Sequence, residues 1–194
     1  MATPIRTSPV LVWRVSAGSP GYFGGGRDHT HVRLTVLDDV LLVAADRYVH
    51  EFYGGWEGPY ESRLSVHDAA TGLRLWGLPG RPVATTGDAI TLSDGRRDRT
   101  FARRTGALVH EVDRHRPAGP SVGLPPPVRM ARAGDVVYTV VPGNVLVARD
   151  TAAERTLWQL GFDARIAALA PAPERLYVLL DGGHLVLFGA DSGT

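Results

Sequence analysis

An all-β fold of about four four-stranded antiparallel units is predicted by three observations. The first is a recurring string. Val66-His67-Asp68-Ala69-Ala70-Thr71-Gly72-Leu73-Arg74-Leu75-Trp76 places Asp, then Thr-Gly three residues on, then Trp four after the Gly. The frame returns in degraded form at Thr105-Gly106 with His110, at Ala148, Asp150 and Trp158, and at Ser192-Gly193. A repeated supersecondary unit fixes architecture before chemistry is considered. The second is a set of short, nearly all apolar or β-branched runs at residues 40–45, 89–92, 136–141 and 176–180, as expected of covered strands. The third is that no segment carries a convincing helical period.

Each unit reads strand, turn, apolar strand, loop, strand, turn, strand. The first strands are residues 31–37, whose alternation has period two, and their weaker counterparts 82–85, 128–131 and 166–170. Turn signals at Asp38-Asp39, Gly87-Asp88, Gly134-Asp135 and Pro173-Glu174 lead into the four apolar second strands. Third strands follow Asp94-Gly95, Pro142-Gly143-Asn144 and Asp181-Gly182-Gly183. Fourth strands are expected to end at the Trp position. Residues 151–160 could pass for a helix, but Gly161 stops it within three turns and the repeat frame favours a strand.

The frame positions Trp13, Trp76, His110 and Trp158 are 63, 34 and 48 residues apart. Four-stranded meanders repeating at roughly 40–45 residues are the signature of β-propeller blades. The units are expected at about 31–76, 82–112, 128–160 and 166–194, in one domain spanning 1–194. The last lacks a fourth strand, while Val10-Leu11-Val12-Trp13 is a fourth strand without the three before it. Placing residues 11–15 beside 184–189 removes an apolar edge, within one chain or between two.

The string at 66–76 resembles the tryptophan-docking repeat of the PQQ-type (quinoprotein-like) β-propeller family, with Asp150 and Trp158 keeping part of the pattern. The resemblance implies tryptophans docked between neighbouring blades, each indole N–H meeting a backbone acceptor, in a geometry suited to an eight-fold ring. Some members are quinone-dependent dehydrogenases and others are scaffolds or sensors. This chain has half an eight-bladed ring's length and lacks the adjacent cysteines that pack on the quinone. Quinoprotein catalysis is therefore disfavoured and no cofactor is expected. A homodimer completing an eight-bladed ring is favoured over a closed four-bladed monomer.

Net charge is +1, so no global field argues for nucleic acid or an anionic membrane. The 21 basic residues are all arginine. Without cysteine there is no thiolate nucleophile and no Cys-ligated metal. No apolar run approaches a membrane span and residues 1–8 do not read as a secretory signal, so a cytoplasmic location is expected.

The long connections 16–30, 46–62 and 113–127 all fall on one predicted face, and the opposite face has only tight turns. Long loops on a rigid scaffold are where binding resides. Tyr48, Phe52, Tyr53, Trp56 and Tyr60 put five of the chain's 15 aromatics into one 17-residue connection, and Tyr22, Phe23 and Arg27 lie in another. Aromatics and arginine dominate binding hot spots. The leading reading is thus a non-catalytic module that presents this face to a protein partner or a small ligand. The alternative is an enzyme with a pocket there, using His29, His31, His50 and Glu51 as acid/base groups, or His29, His31 and His50 as metal ligands. His67 and His184 read as structural, and His110 as a stand-in for a docking Trp. The cluster Arg96, Arg97, Arg99, Arg103 and Arg104 reads as a solvated blade edge.

Overall fold

A computed structural model describes residues 3–16, 28–51, 55–56, 61–113 and 130–190, with the backbone alone at 28–30, 48–51 and 55–56. Among the described residues, seventeen strands form four antiparallel sheets and there is no helix. In chain order they are β1 Val10–Ser16, β2 Asp28–Leu37, β3 Val40–Glu51, β4 Gly55–Trp56, β5 Glu61–Asp68 and β6 Arg74–Pro79. Next come β7 Arg81–Thr86, β8 Ala89–Ser93, β9 Arg97–Ala102, β10 Leu108–Asp113, β11 Met130–Ala133 and β12 Val136–Val141. The last are β13 Val145–Asp150, β14 Arg155–Gly161, β15 Ile166–Ala172, β16 Arg175–Leu180 and β17 His184–Gly189.

The sheets run β2-β3-β5-β6 (with β4 added on β3), β7-β8-β9-β10, β11-β12-β13-β14 and β15-β16-β17-β1. These are propeller-type blades, and the last is closed as the sequence predicts. β1 lies antiparallel to β17 from Val10 opposite Gly189 to Ser16 opposite His184. One bond marks the repeat in every sheet. The residue after the third strand (Ala69, Arg103, Thr151 or Ala190) donates its N–H to a carbonyl in the first turn, at Asp39, Asp88, Asp135 or Glu174. In the first three sheets the bond ties both tight turns of a blade together at one end.

The chain divides into two compact units: Met1–Ser19, Leu34–Val36 and Pro127–Thr194; and Pro20–Arg33 and Leu37–Pro126. In the first unit, β11–β14 and the closed last sheet share a core containing Ile5, Tyr138, Leu146, Trp158, Leu176, Val178 and Phe188. In the second, Val40, Leu42, Ala44, Leu64, Val66, Ile90, Leu92 and Phe101 fill the space between two sheets. The alternation of these positions is the period of two that a strand imposes.

Two expectations are corrected. The Trp position lies within the fourth strand, not at its end: Trp76 opposes Val66, and β6 continues until Pro79 opposes Arg63. Trp158 likewise precedes three more residues of β14. The eight- and six-residue third strands need partners along their full length, so the fourth strand runs on. The 46–62 stretch is not all loop. β3 continues through Glu51, pairs with β5 as far as Arg47 opposite Glu61, and then pairs with β4. Ser16, residues 28–30 and Asp113 are also strand, which trims the other two connections. Their remainders, 17–27 and 114–127, together with 52–54, 57–60 and the first two residues of the expected strand 128–131, lie outside the described residues.

Candidate functional site

The root of the aromatic insertion is a buried carboxylate. Asp46, 2% exposed, follows six apolar residues of β3 and ends their run. Its Oδ1 accepts from Ser62 Oγ at 2.7 Å, and its Oδ2 accepts from Arg33 Nη2 at 3.1 Å. Asp46 and Ser62 are also cross-strand partners, so the hydroxyl comes from the residue directly opposite, one pair before the ladder ends at Arg47 and Glu61. A carboxylate is buried only when paired in this way, and here the pairing fixes where the insertion leaves the sheet. Beyond it the backbone sets His50 opposite Trp56 and Glu51 opposite Gly55.

The sequence-predicted residues are distributed as follows. His29 and His31 lie in β2; Tyr48, His50 and Glu51 in β3; Trp56 in β4. Of these, only His31 has a described side chain, and it is half-buried. Tyr22, Phe23, Arg27, Phe52, Tyr53 and Tyr60 lie outside the described residues. Among the described residues, no group of three or more His, Asp or Glu side chains could hold a metal ion.

At the tight-turn end of the same sheet is a docking arrangement that the string only partly announced. Trp76 Nε1 donates to the Arg103 carbonyl at 2.8 Å, and its ring packs on Phe101 with centroids 6.0 Å apart. The next residue, Arg104, reaches back across the junction, from Nη1 to Asp39 Oδ2 and from Nη2 to Asp68 Oδ2 at 3.1 Å. Arg103, with its side chain 13% exposed, bridges Asp38, Asp39 and Asp88. Asp68 Oδ1 meanwhile accepts from the Ala70 and Thr71 N–H groups, the usual way a short acidic side chain shapes a turn. The backbone bond from Thr71, with further support from Arg104, holds the Asp68 carboxyl below its ordinary range. Asp39 is held down chiefly by its bond from Arg104. Arg103 and Arg104 are therefore clamp residues rather than a solvated edge.

The other unit repeats the arrangement with a different piece of chain. Trp158 Nε1 donates to the Ile5 carbonyl at 3.1 Å, and Arg6 bonds Asp150 Oδ2 at 2.6 Å and both oxygens of Asp135. Asp150 Oδ1 accepts from Ala152 and Ala153, as Asp68 Oδ1 does from its own turn. Bonds from Ala153 and then Arg6 lower the Asp150 carboxyl. Ile5-Arg6 thus does the work of Arg103-Arg104, and each dipeptide ends four residues before its fourth strand. Ile5 is fully buried, its N–H donates to Tyr138 Oη at 2.9 Å, and the Glu174 N–H donates to the Thr3 carbonyl at 2.7 Å.

The remaining frame positions differ. Trp13 packs on Tyr177 with centroids 6.1 Å apart, and its buried Nε1 has no hydrogen-bond partner. His110 is exposed in β10 rather than docked. His67 is structural: it is fully buried, with Nδ1 3.0 Å from the Gly72 carbonyl and Nε2 3.1 Å from Ser65 Oγ. Burial pushes its imidazole below the ordinary value, against the opposing bond to Gly72. With Nδ1–H donating to Gly72 and Nε2 accepting from Ser65, the neutral ring satisfies both contacts.

No described family matches this chain, and no curated protein does. Solved structures to which it is similar include BamB from Moraxella catarrhalis, at 16% identity and a TM-score of 0.29, over 80% of this chain and 42% of that one. The WD40 domain of Neurospora crassa Pan2 is 10% identical with a TM-score of 0.34, covering 93% and 55%. The computationally designed Ika4 protein is 12% identical with a TM-score of 0.31, covering 90% and 96%. The chain spans less than half of the BamB chain. The fold class stands on the strand pairing described above.

Proposed function

We propose that this chain is a non-catalytic interaction module whose contact surface is the insertion-bearing end of its sheets. The carrying observation is the built root at Asp46. A paired, buried carboxylate and a strand extension through Glu51 lie toward the end of β3 opposite the clamp residues, where the sequence enters its aromatic-rich segment. In this reading Tyr48, Phe52, Tyr53, Trp56 and Tyr60, with Tyr22, Phe23 and Arg27, supply the contact to a protein partner or a small ligand. The described polar groups support it, because Asp39, Asp68, Asp135, Asp150, His67 and the arginines facing them are used in holding turns and junctions. A homodimer completing an eight-bladed ring is the assembly proposed, and solution mass reads it.

The test replaces residues 48–60 by Asn-Gly, which closes the ladder at Arg47 opposite Glu61 with a two-residue hairpin turn. The replacement should abolish capture of the intact chain's partners and leave unfolding within about 1 kcal/mol of the parent. Unchanged capture would overturn the proposal, and an unfolded variant would show that the aromatics belong to the core.

A further inference from the structure

Ile5-Arg6 and Arg103-Arg104 perform the same task, yet they reach it differently. Arg103-Arg104 lies in the turn between β9 and β10, which pair with one another. Residues 3–6 precede β1, whose partner β17 is almost the whole chain away. The side-chain bonds holding Ile5 and Arg6 join residues 129 to 153 positions apart in sequence. The socket is therefore complete without its occupant: Tyr138 Oη, Trp158 Nε1, the Glu174 N–H, and the Asp135 and Asp150 carboxylates all come from residues 135–174. It recognises a free backbone N–H and carbonyl on a buried apolar residue, an arginine immediately after it, and a strand beginning four residues later.

We propose that this socket is a peptide-binding site able to take residues 3–16 from a second copy of the chain, whose β1 then pairs with β17 of the first. This rests on the homodimer reading above and supplies its contact. Three observations favour a second copy as the source. Each copy carries both the segment and the socket, the arginine is complementary in charge to the carboxylate pair, and the pairing of β1 with β17 is already in register. β1 also leaves Val10, Leu11 and Val12 exposed at 48%, 55% and 56%, which gives an exchanged pair a self-complementary apolar surface.

The test mixes two full-length variants. One carries Arg6→Met, which keeps the socket and spoils the segment; the other carries Asp135→Asn and Asp150→Asn, which does the reverse. Alone, each is mismatched within itself; exchange restores one matched pair. Native mass spectrometry should show a one-to-one heterodimer at least roughly tenfold above the homodimer of either variant alone. No enrichment overturns the exchange. If the parent chain is nonetheless dimeric, the homodimer reading survives by another contact; if it is monomeric at every concentration, both fall. A second measurement guards against poor folding of the doubly substituted chain. A labelled peptide of residues 3–16 should bind the full-length Arg6→Met chain at least roughly tenfold more tightly than the same peptide carrying that substitution. Equal binding, or none, overturns the proposal.

Discussion

Gly106 lies so close beneath the Trp76 indole that a β-carbon on it would stand 2.8 Å from Trp76 Cγ and 2.9 Å from Cδ2. Its φ of +68° is also in the left-handed region. Two independent demands, clearance and handedness, thus meet on one residue of the repeat string. Gly106→Ala should cost about 1–2 kcal/mol from the backbone alone, plus whatever the displaced ring loses against Phe101. Chemical unfolding followed by tryptophan fluorescence measures the cost, and a loss no larger than that range would mean the ring is not held by this contact.

The tryptophans at the frame position should not respond alike. Trp76→Phe and Trp158→Phe each delete a bonded indole N–H and should destabilise by about 1 kcal/mol beyond the loss of ring area. Trp13→Phe deletes a buried N–H that has no partner, and removing such a group is close to neutral or stabilising. Urea midpoints for the three variants, at constant slope, give the ranking; equal losses would contradict it.

Acid should weaken the fold in two stages. The His67 imidazole is lowered in the folded state from its ordinary 6.5, so the unfolded chain takes up its proton first. That contribution is fully present above about pH 6.5 and is lost as pH falls through the folded value. Asp39, Asp68, Asp94 and Asp150 are all lowered from 3.8, and their contributions are lost in turn as pH falls below that point. His67→Gln should remove the first decline and leave the second, as read from stability against pH. A first decline that persists in the variant would assign it elsewhere.

Asp46→Ala should cost about 1–3 kcal/mol, because it strips Ser62 and Arg33 of their shared acceptor inside the sheet. Hydrogen exchange should accelerate first in the β3 and β4 amides, ahead of β5 and β6. Uniform acceleration throughout the sheet would mean that Asp46 supports the blade generally rather than the base of the insertion.

Where residues repeat a local rule, the sequence was readable. Asp68, Thr71-Gly72 and Trp76 encode a turn whose bonds are nearly all made within the string, and the apolar second strands carry their burial in composition. Even the junction of β1 with β17 was legible, since an unpaired apolar edge is costly wherever its partner lies in sequence. The clamp was not. Arg6 and Arg104 act on carboxylates distant in sequence, and an arginine in a turn has the same local appearance whether it is hydrated or bridging two aspartates. The available signal was a pair of like charges: Asp at both tight turns of the same blade, Asp39 with Asp68 and Asp135 with Asp150, calls for a cation between them. Asp46 was legible only as a charge ending an apolar run. The extension of β3 beyond it was hidden, because Tyr48, His50 and Glu51 carry no alternation that separates strand from loop.

Pairing Val10 with Gly189 has a cost during synthesis on the ribosome. Among the described strands β1 is the first to emerge, and its ladder partner β17 is translated after all the others. For that interval the Val-Leu-Val run lacks its described ladder partner, and the nascent chain must tolerate an adhesive edge until β17 has emerged. Completion of the last sheet thereby waits for β17, and it is slow because the loop to be closed runs from β1 past every other described strand, so crowding by neighbouring nascent copies would be felt there first.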